Sequence, residues 1–329
     1  MTTATDPTSK VAEIIEHISA AVSAGGDAEA ARKALADIVA KQGGTTATKA
    51  EPAASVVPGL TAGAKTVTRP NGVDYYVRKF GSHDDVAALQ AARDKGLPIM
   101  AYGPPGTGKT ALIEAAYCIG GKSVYTVQGT GDTETADFIG SFTQLPGGSF
   151  EWNDGPMLRA MEEGAVLYID EIALIDPKVM AVVYSVMDGR GEYQVTANPE
   201  RGTVVAKDGF YVASACNPNA PGARLSEAIV SRFVLQFEVT TDYALAKSLG
   251  VPAKLVTAAQ NLQRKYETGE VGWAPQLREC LAFRDISAVL GEDVALRNVI
   301  AGAPEIDRPV VKDVLQRTYG RNIDALAIA

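Results

Sequence analysis

The residues best suited to chemistry lie in the stretch GPPGTGKT, residues 103–110. Gly103, Gly108, Lys109 and Thr110 have the spacing of a complete P-loop, whose glycines let successive backbone N–H groups point at phosphate oxygens. In such a loop Lys109 reaches the β- and γ-phosphates, and the Thr110 hydroxyl ligates Mg²⁺. A glycine-rich turn without a ligand is the alternative interpretation. The residues predicted to contact a nucleoside triphosphate are Gly103, Pro104, Pro105, Gly106, Thr107, Gly108, Lys109, Thr110 and Ala111.

An acidic pair follows the apolar run AVLYI, residues 165–169. This run is typical of a buried strand, and it delivers Asp170 and Glu171 at its carboxyl end, where phosphates are expected in a parallel sheet. Because Mg²⁺ prefers oxygen ligands, Asp170 can bind it directly or through water. Glu171 can then polarise the water that attacks the γ-phosphate. The alternative is a solvated acidic loop.

Two further polar residues with a possible role, Asn217 and Arg232, follow the acidic pair along the chain. Asn217 comes after the apolar run 210–215, so its amide could hydrogen-bond the γ-phosphate or position the water; the alternative is a turn residue in an Asn-Pro pair. Arg232, in RLSEAIVSRF, could stabilise the charge of phosphoryl transfer across a subunit boundary. A surface ion pair is the alternative for Arg232, and Arg224 is a weaker candidate for the same role.

The elements that must position these residues show the pattern of an α/β fold. Short apolar runs alternate with helical patterns, and continuous rather than alternating apolarity indicates parallel strands covered on both faces. The helical pattern of residues 111–120 places a helix N-terminus beside the P-loop, where it favours an anion. The predicted strands are residues 97–102, 122–128, 165–169, 210–215 and 234–239.

The chain of 329 residues divides into four segments. Two apolar helical stripes in residues 1–42 predict a small N-terminal helical extension. Residues 43–70 are rich in Gly, Ala, Thr and Pro without periodicity, which predicts a flexible linker. Residues 71–240 form the predicted α/β core, and residues 241–329 show helical periodicity throughout.

The composition of the chain argues against several classes of site and function. The two histidines and three cysteines, with no CxxC pair, argue against a zinc site or a histidine-dependent triad. The formal charge of −8 opposes non-specific binding to nucleic acid. No apolar run approaches the length of a membrane span and the N-terminus lacks a signal-peptide core, so we expect a cytoplasmic protein.

With these four motifs in order, the chain resembles the AAA+ ATPases, and within them the MoxR-like and dynein-related branch that includes CbbQ- and NorQ-type activases. The resemblance covers about residues 80–290. GPPGTGKT matches the family's Walker A motif, YIDEI its Walker B motif, Asn217 its sensor 1, and SEAIVSRF its arginine-finger helix. Arg278 matches the sensor 2 arginine, although Gln276 stands where the family usually has serine. A solvent-facing lid arginine is the alternative for Arg278.

Two stretches point to this branch in particular. Residues 141–152 resemble its insert hairpin before Walker B, and residues 192–207 resemble its second hairpin, before sensor 1. The resemblance implies a parallel five-stranded sheet of order 5-1-4-3-2, an α-helical lid, ATP and Mg²⁺ as cofactors, and a ring that is usually hexameric. It also implies a protein client or an adaptor, for which family relatives commonly use a von Willebrand factor A-type domain.

Four functions compete at this point. The first is an ATP-driven remodeller of a protein partner, and the second is a nucleic-acid motor. A GTP switch is weakly supported because no guanine-reading Asn-Lys-x-Asp stretch occurs, and the retained acidic pair argues against an inactive structural ring. The first hairpin favours the remodeller, since it carries Phe142, Phe150 and Trp152 without Lys or Arg, while the second adds only Arg201 and Lys207. Packing of the three aromatic residues as core is the alternative.

Overall fold

The structure is a computed structural model, and it describes residues 65–118 and 123–327. Its first elements are two antiparallel ribbons, β1 (Thr66–Thr68) with β2 (Asp74–Tyr76) and β3 (Lys79–Phe80) with β4 (His83–Asp84). The strand β1 falls inside the stretch 43–70 expected to be a linker, because its β-branched residues pair in register with β2. The predicted helical extension, residues 1–42, lies outside the described residues.

The five predicted strands form one parallel sheet. Each begins one or two residues after its predicted start: β5 (Ile99–Tyr102), β6 (Val124–Gln128), β9 (Val166–Asp170), β12 (Tyr211–Cys216) and β13 (Leu235–Glu238). Their order across the sheet is β13-β5-β12-β9-β6, and all neighbouring pairs are parallel. Numbered along the chain among themselves, this is 5-1-4-3-2, so the predicted topology is confirmed.

Helices cover both faces of this sheet. On one face, Ile99 and Ala101 of β5 pack with residues of α1 (Asp85–Asp94) and α2 (Lys109–Tyr117), which is the helix that follows the P-loop. Met100 points to the opposite face and joins a second apolar cluster. Every residue of β12 is buried, as expected for a central strand covered twice.

Both predicted hairpins are present, and each is a separate two-stranded sheet. The first consists of β7 (Gly140–Gln144) and β8 (Phe150–Asp154), flanked by α3 (Ala136–Ile139) and α4 (Pro156–Glu163). The second consists of β10 (Glu192–Gln194) and β11 (Thr203–Val205), after α5 (Ala181–Met187). In the turn of the first hairpin, between β7 and β8, Gly147 and Gly148 adopt positive φ angles that favour glycine.

The C-terminal region is helical, as predicted, and has its own apolar cluster. After the short α6 (Glu227–Val230) and strand β13, its helices are α7 (Tyr243–Ser248), α8 (Ala253–Glu267), α9 (Leu277–Leu290), α10 (Glu292–Gly302) and α11 (Arg308–Tyr319). Asp307 precedes α11 but makes no side-chain cap, since its carboxylate accepts the Gly272 N–H at 3.1 Å from both oxygens. Across the described ranges, no helix combines the length and apolarity that crossing a membrane requires.

Candidate nucleotide-binding site

The P-loop joins β5 to α2 at the carboxyl edge of the sheet. Its three glycines have backbone angles that other residues rarely adopt: φ is 144° at Gly103, 86° at Gly106 and 93° at Gly108. A Cβ atom on Gly103 would also lie 2.5 Å from the carbonyl oxygen of Val239, too close for any side chain. The loop therefore passes close to the backbone just after β13.

Lys109 lies inside this loop. Its Nζ donates to the carbonyl oxygens of Gly103 at 2.8 Å and Pro104 at 3.0 Å, and Thr107 Oγ1 donates to the same Pro104 oxygen at 3.1 Å. Burial lowers the pKa of Lys109, against the opposing effect of the carboxylates of Glu171 and Asp170. A buried ammonium that is hydrogen-bonded only to neutral carbonyls is strongly stabilised by an anion placed beside it.

Thr110 and Asp170 meet although 60 residues separate them in the chain. Thr110 Oγ1 donates to Asp170 Oδ2 at 3.2 Å and accepts from Tyr168 Oη at 3.4 Å. Asp170 Oδ1 accepts the N–H of Glu171 at 3.0 Å. The hydroxyl and carboxylate oxygens form the hard donor set that suits Mg²⁺.

Glu171 has a backbone conformation that sets it apart. Within the described ranges, Glu171 is the only non-glycine residue with a positive φ, at 48°. This conformation costs about 1–3 kcal/mol and is common at functional sites. Its Oε2 accepts the backbone N–H of Asn217 at 3.2 Å. The Walker B carboxylate and the predicted sensor 1 residue are thus adjacent at the ends of β9 and β12.

Gly129 supports this turn, although sequence reasoning did not single it out. It directly follows β6, and its N–H donates to the carbonyl oxygen of Asp170 at 2.8 Å. A Cβ atom there would lie 2.4 Å from the carbonyl oxygen of Glu171. The only sequence signal is a glycine at the end of a predicted strand, which indicates close backbone approach without naming the neighbour.

The side chain of Asn217 is used locally, since its Oδ1 accepts the N–H of Asn219 at 3.1 Å. Asn219 Nδ2 in turn donates to Tyr266 Oη in α8, at 3.3 Å. The loop after β12 therefore touches Glu171 at one end and the helical region at the other. Asn219 was also missed from the sequence, because its partner lies 47 residues away.

Arg278 lies at the start of α9, directly beside the P-loop. Its backbone N–H donates to the carbonyl oxygen of Gly106 at 3.1 Å. The charge of Arg278, like burial, lowers the pKa of Lys109. Gln276 is buried and closes the N-terminus of α9 in a reciprocal capping box with Glu279. The start of α9 is thus hydrogen-bonded directly to the P-loop.

Arg232 is held away from this cluster. Its guanidinium binds both oxygens of Asp188, at 2.8 and 3.1 Å, and lies 4.4 Å above the ring of Tyr184. It also donates to the carbonyl oxygen of Ala228 at 2.6 Å. Among the described contacts of Arg224 is a backbone hydrogen bond to Ala173, at 2.6 Å. Within one subunit, neither arginine is brought to the P-loop by these contacts.

Comparison with known proteins agrees with this geometry. The model of the AAA domain, dynein-related subfamily, matches residues 98–233, which include the P-loop and the strands β5 to β12. Protein NorQ of Paracoccus denitrificans is 35% identical over 135 residues, which are 41% of this chain and 49% of NorQ. The matched part of the chain thus spans about half of that relative's length.

Two other similarities extend further along the chain. The uncharacterized protein YojN of Bacillus subtilis is 34% identical over 229 residues, covering 65% of this chain and 74% of YojN. A solved structure of a proposed ATPase from Cytophaga hutchinsonii aligns with a TM-score of 0.42 and 18% identity over 63% of this chain and 74% of that one. On the family match and the extent of the sequence similarity, the chain belongs to the AAA+ ATPases, in the dynein-related subfamily of AAA domains.

Proposed function

We propose that this protein hydrolyses ATP with Mg²⁺ and couples hydrolysis to the remodelling of a protein partner. The observation that carries the proposal is the convergence of three separate chain segments at one edge of the sheet. They bring a buried lysine, the Thr110–Asp170 oxygen pair, the strained Glu171 and the lid residue Arg278 around the P-loop. Such a combination exceeds what binding alone requires.

The residues fit this nucleotide in definite roles. Bound MgATP would supply the γ-phosphoryl group and the metal charge that neutralises it. Lys109 binds the phosphates, while Thr110 and Asp170 provide oxygen ligands for the metal. Glu171 orients and polarises the attacking water as general base, and Asn217 keeps the Glu171 carboxylate in place through its N–H.

The proposal includes a homo-oligomeric ring, with six subunits as the expected number. An arginine supplied by a neighbouring subunit can stabilise the charge of phosphoryl transfer. Arg232 does not reach the P-loop of its own subunit through its described contacts. Its side chain is about a quarter exposed, which leaves it accessible to a neighbour. We therefore assign Arg232 to catalysis in trans and keep Arg224 as the alternative.

The first hairpin supports a protein partner. Phe142 pairs with Trp152 and Gln144 with Phe150 in the register of β7 and β8, so the three aromatic side chains share one face. Phe142 is 50% exposed and Phe150 is 64% exposed, which argues against both of them serving as core. Trp152 is half-buried and stacks edge-on against Phe142 with 5.1 Å between ring centroids. The two exposed rings of this face suit an apolar peptide segment.

The second hairpin offers little positive charge for nucleic acid. Arg201, one of its two basic residues, binds Asp154 in a bidentate pair and also contacts Glu162. Because these carboxylates neutralise it, Arg201 is poorly placed to follow a phosphate backbone. This observation favours a protein client or adaptor, including one of the von Willebrand factor A type, over a nucleic-acid motor. A cytoplasmic location belongs to the same proposal.

The test measures the ATPase rate against added DNA, RNA and candidate protein partners. Candidates are first captured with the Glu171→Gln protein and ATP, which holds the engaged state. We expect stimulation by a protein partner that the double variant Phe142→Ala/Phe150→Ala loses while its basal rate stays within about twofold. Val289→Ala in α9, 81% exposed, is the matched control. Strong, salt-sensitive stimulation by nucleic acid alone would instead favour the motor.

A further inference from the structure

A buried arginine outside all the motifs contacts the P-loop. Arg78 lies between β2 and β3, and its side chain is 11% exposed. Its Nη1 donates to the carbonyl oxygen of Thr107 in the P-loop at 3.1 Å and to that of Thr240 at 3.5 Å. Thr240 is the second residue after β13, where the chain leaves the sheet for the helical region. One guanidinium nitrogen thus joins the nucleotide loop to the start of the lid.

The charge of Arg78 is balanced within the fold. Its Nε lies 3.5 Å from the carboxylate of Asp85 and donates to Tyr75 Oη at 3.0 Å, while Tyr75 donates to the same carboxylate. The backbone N–H groups of Arg78 and Val86 donate to the other Asp85 oxygen. Because Arg78 Nε, Tyr75 Oη and both Asp85 oxygens are all paired, the arginine is fixed in place. An arginine on the protein surface is usually held by fewer polar contacts than this.

The contacts continue from Thr240 through the lid and back to the P-loop. Thr241 Oγ1 donates to Gln276 Oε1 at 2.7 Å and accepts the Leu277 N–H at 3.1 Å. The next N–H, from Arg278, donates to the carbonyl oxygen of Gly106, one residue before Thr107. Arg78, the start of the lid, α9 and the P-loop therefore form a closed path of hydrogen bonds.

We propose that Arg78 is a positioning residue that ties the conformation of the P-loop to the position of the lid. Its hydrogen bonds to those two segments go to the backbone carbonyls of Thr107 and Thr240, so it acts through them on the phosphates and on Arg278. This inference rests on the proposed ATPase function, and it assigns a role to a residue outside the Walker and sensor motifs. It predicts that loss of the guanidinium fork loosens the lid even without nucleotide.

The test variant is Arg78→Lys. Lysine keeps a positive charge beside Asp85, so the protein folds, but a single ammonium lacks the planar fork that reaches Tyr75 and two carbonyls together. Arg93→Lys is the matched control. Arg93 Nη2 likewise donates to two carbonyl oxygens, of Gly164 and Gly209, at 3.2 and 3.0 Å. Those glycines precede β9 and β12 at the amino edge of the sheet, opposite the P-loop.

The first measurement is hydrogen exchange of the nucleotide-free proteins. We expect Arg78→Lys to raise exchange about tenfold at the amides of residues 277 and 278, and Arg93→Lys to leave them unchanged. The second measurement is binding of a fluorescent ATP analogue, whose Kd should rise roughly tenfold in Arg78→Lys alone, the scale of one or two hydrogen bonds. A stably folded Arg78→Lys protein with wild-type exchange and wild-type Kd would overturn the role of Arg78. Failure of the wild-type protein to bind the analogue would instead overturn the proposed function on which the role rests.

Discussion

At the scale of single residues, the site depends on backbone positions as much as on charged side chains. Glu171 carries the proposed base in a left-handed conformation, and its N–H and carbonyl neighbours hold it there. Gly129 makes this possible by leaving no Cβ atom against the carbonyl of Glu171. The position of the proposed catalytic carboxylate is therefore set partly by a residue with no side chain.

Gly129→Ala tests this directly. The added Cβ would lie 2.4 Å from the Glu171 carbonyl oxygen, so the turn must shift and the carboxylate with it. We expect ATP binding within about threefold of wild type, ATP turnover lowered by at least about tenfold, and a loss of stability of roughly 1–3 kcal/mol. Gly131→Ala is the control, since a Cβ there meets nothing within 4 Å. Equal turnover in the two variants would remove Gly129 from this role.

At the scale of elements, the two hairpins are joined by one charged cluster. Arg201, in the turn between β10 and β11, binds Asp154 at the end of β8, and Trp152 Nε1 donates to the same carboxylate at 2.6 Å. Burial alone raises the pKa of Asp154, but the hydrogen bonds from Arg201 and Trp152 outweigh it and hold the pKa below its ordinary value. The ionised form of Asp154 therefore links the hairpins.

The lowered pKa of Asp154 determines how the stability of the folded protein changes with pH. A carboxyl group whose pKa is lower in the folded protein stabilises it above the unfolded pKa, near 3.8, and the contribution is lost as pH falls through the folded value. We expect the fluorescence of Trp152, measured in a Trp273→Phe background, to change below about pH 4. Asp154→Asn should abolish that change and speed amide exchange in both hairpins. An unaltered titration in Asp154→Asn would show that another group causes it.

The parts of the fold that sequence could predict are those encoded locally. The five strands appear as continuous apolar runs and the P-loop as eight consecutive residues, so both were found within one or two residues. Gly129, Arg78 and Asn219 were missed, because their importance comes from partners 42, 29 and 47 residues away or more. Asp307 stands at the N-cap position of α11, where aspartate commonly caps a helix, yet its carboxylate binds Gly272, 35 residues earlier. Tertiary contacts overrode the local signal in each case.

At the scale of the whole molecule, the proposed ring brings Arg232 to a neighbour's nucleotide. Within a subunit Asp188 and Tyr184 hold its guanidinium in a bidentate and cation–π arrangement, which fixes its direction. Arg232→Ala subunits should bind ATP yet hydrolyse it at least about a hundredfold more slowly, since a trans arginine contributes on that scale or more.

Mixing two inactive proteins checks whether Arg232 acts between subunits. Arg232→Ala and Lys109→Ala subunits should regain part of the activity together, because some interfaces then join an intact P-loop to an intact arginine. Light scattering with ATP should show a species of about six times the 34.5 kDa chain. A monomer at every concentration and nucleotide state, or mixtures as inactive as their components, would contradict the ring.

If Glu171 activates water at a site built to hold ATP, a single-turnover measurement separates its effect on hydrolysis from ATP binding. ATP binding and the rate of the hydrolytic step are measured side by side for the wild-type protein, Glu171→Gln and Lys109→Ala. We predict that Glu171→Gln binds ATP as the wild type does but cleaves it at least about a hundredfold more slowly, whereas Lys109→Ala loses tight binding. Cleavage by Glu171→Gln at the wild-type rate would show that Glu171 does not activate the attacking water.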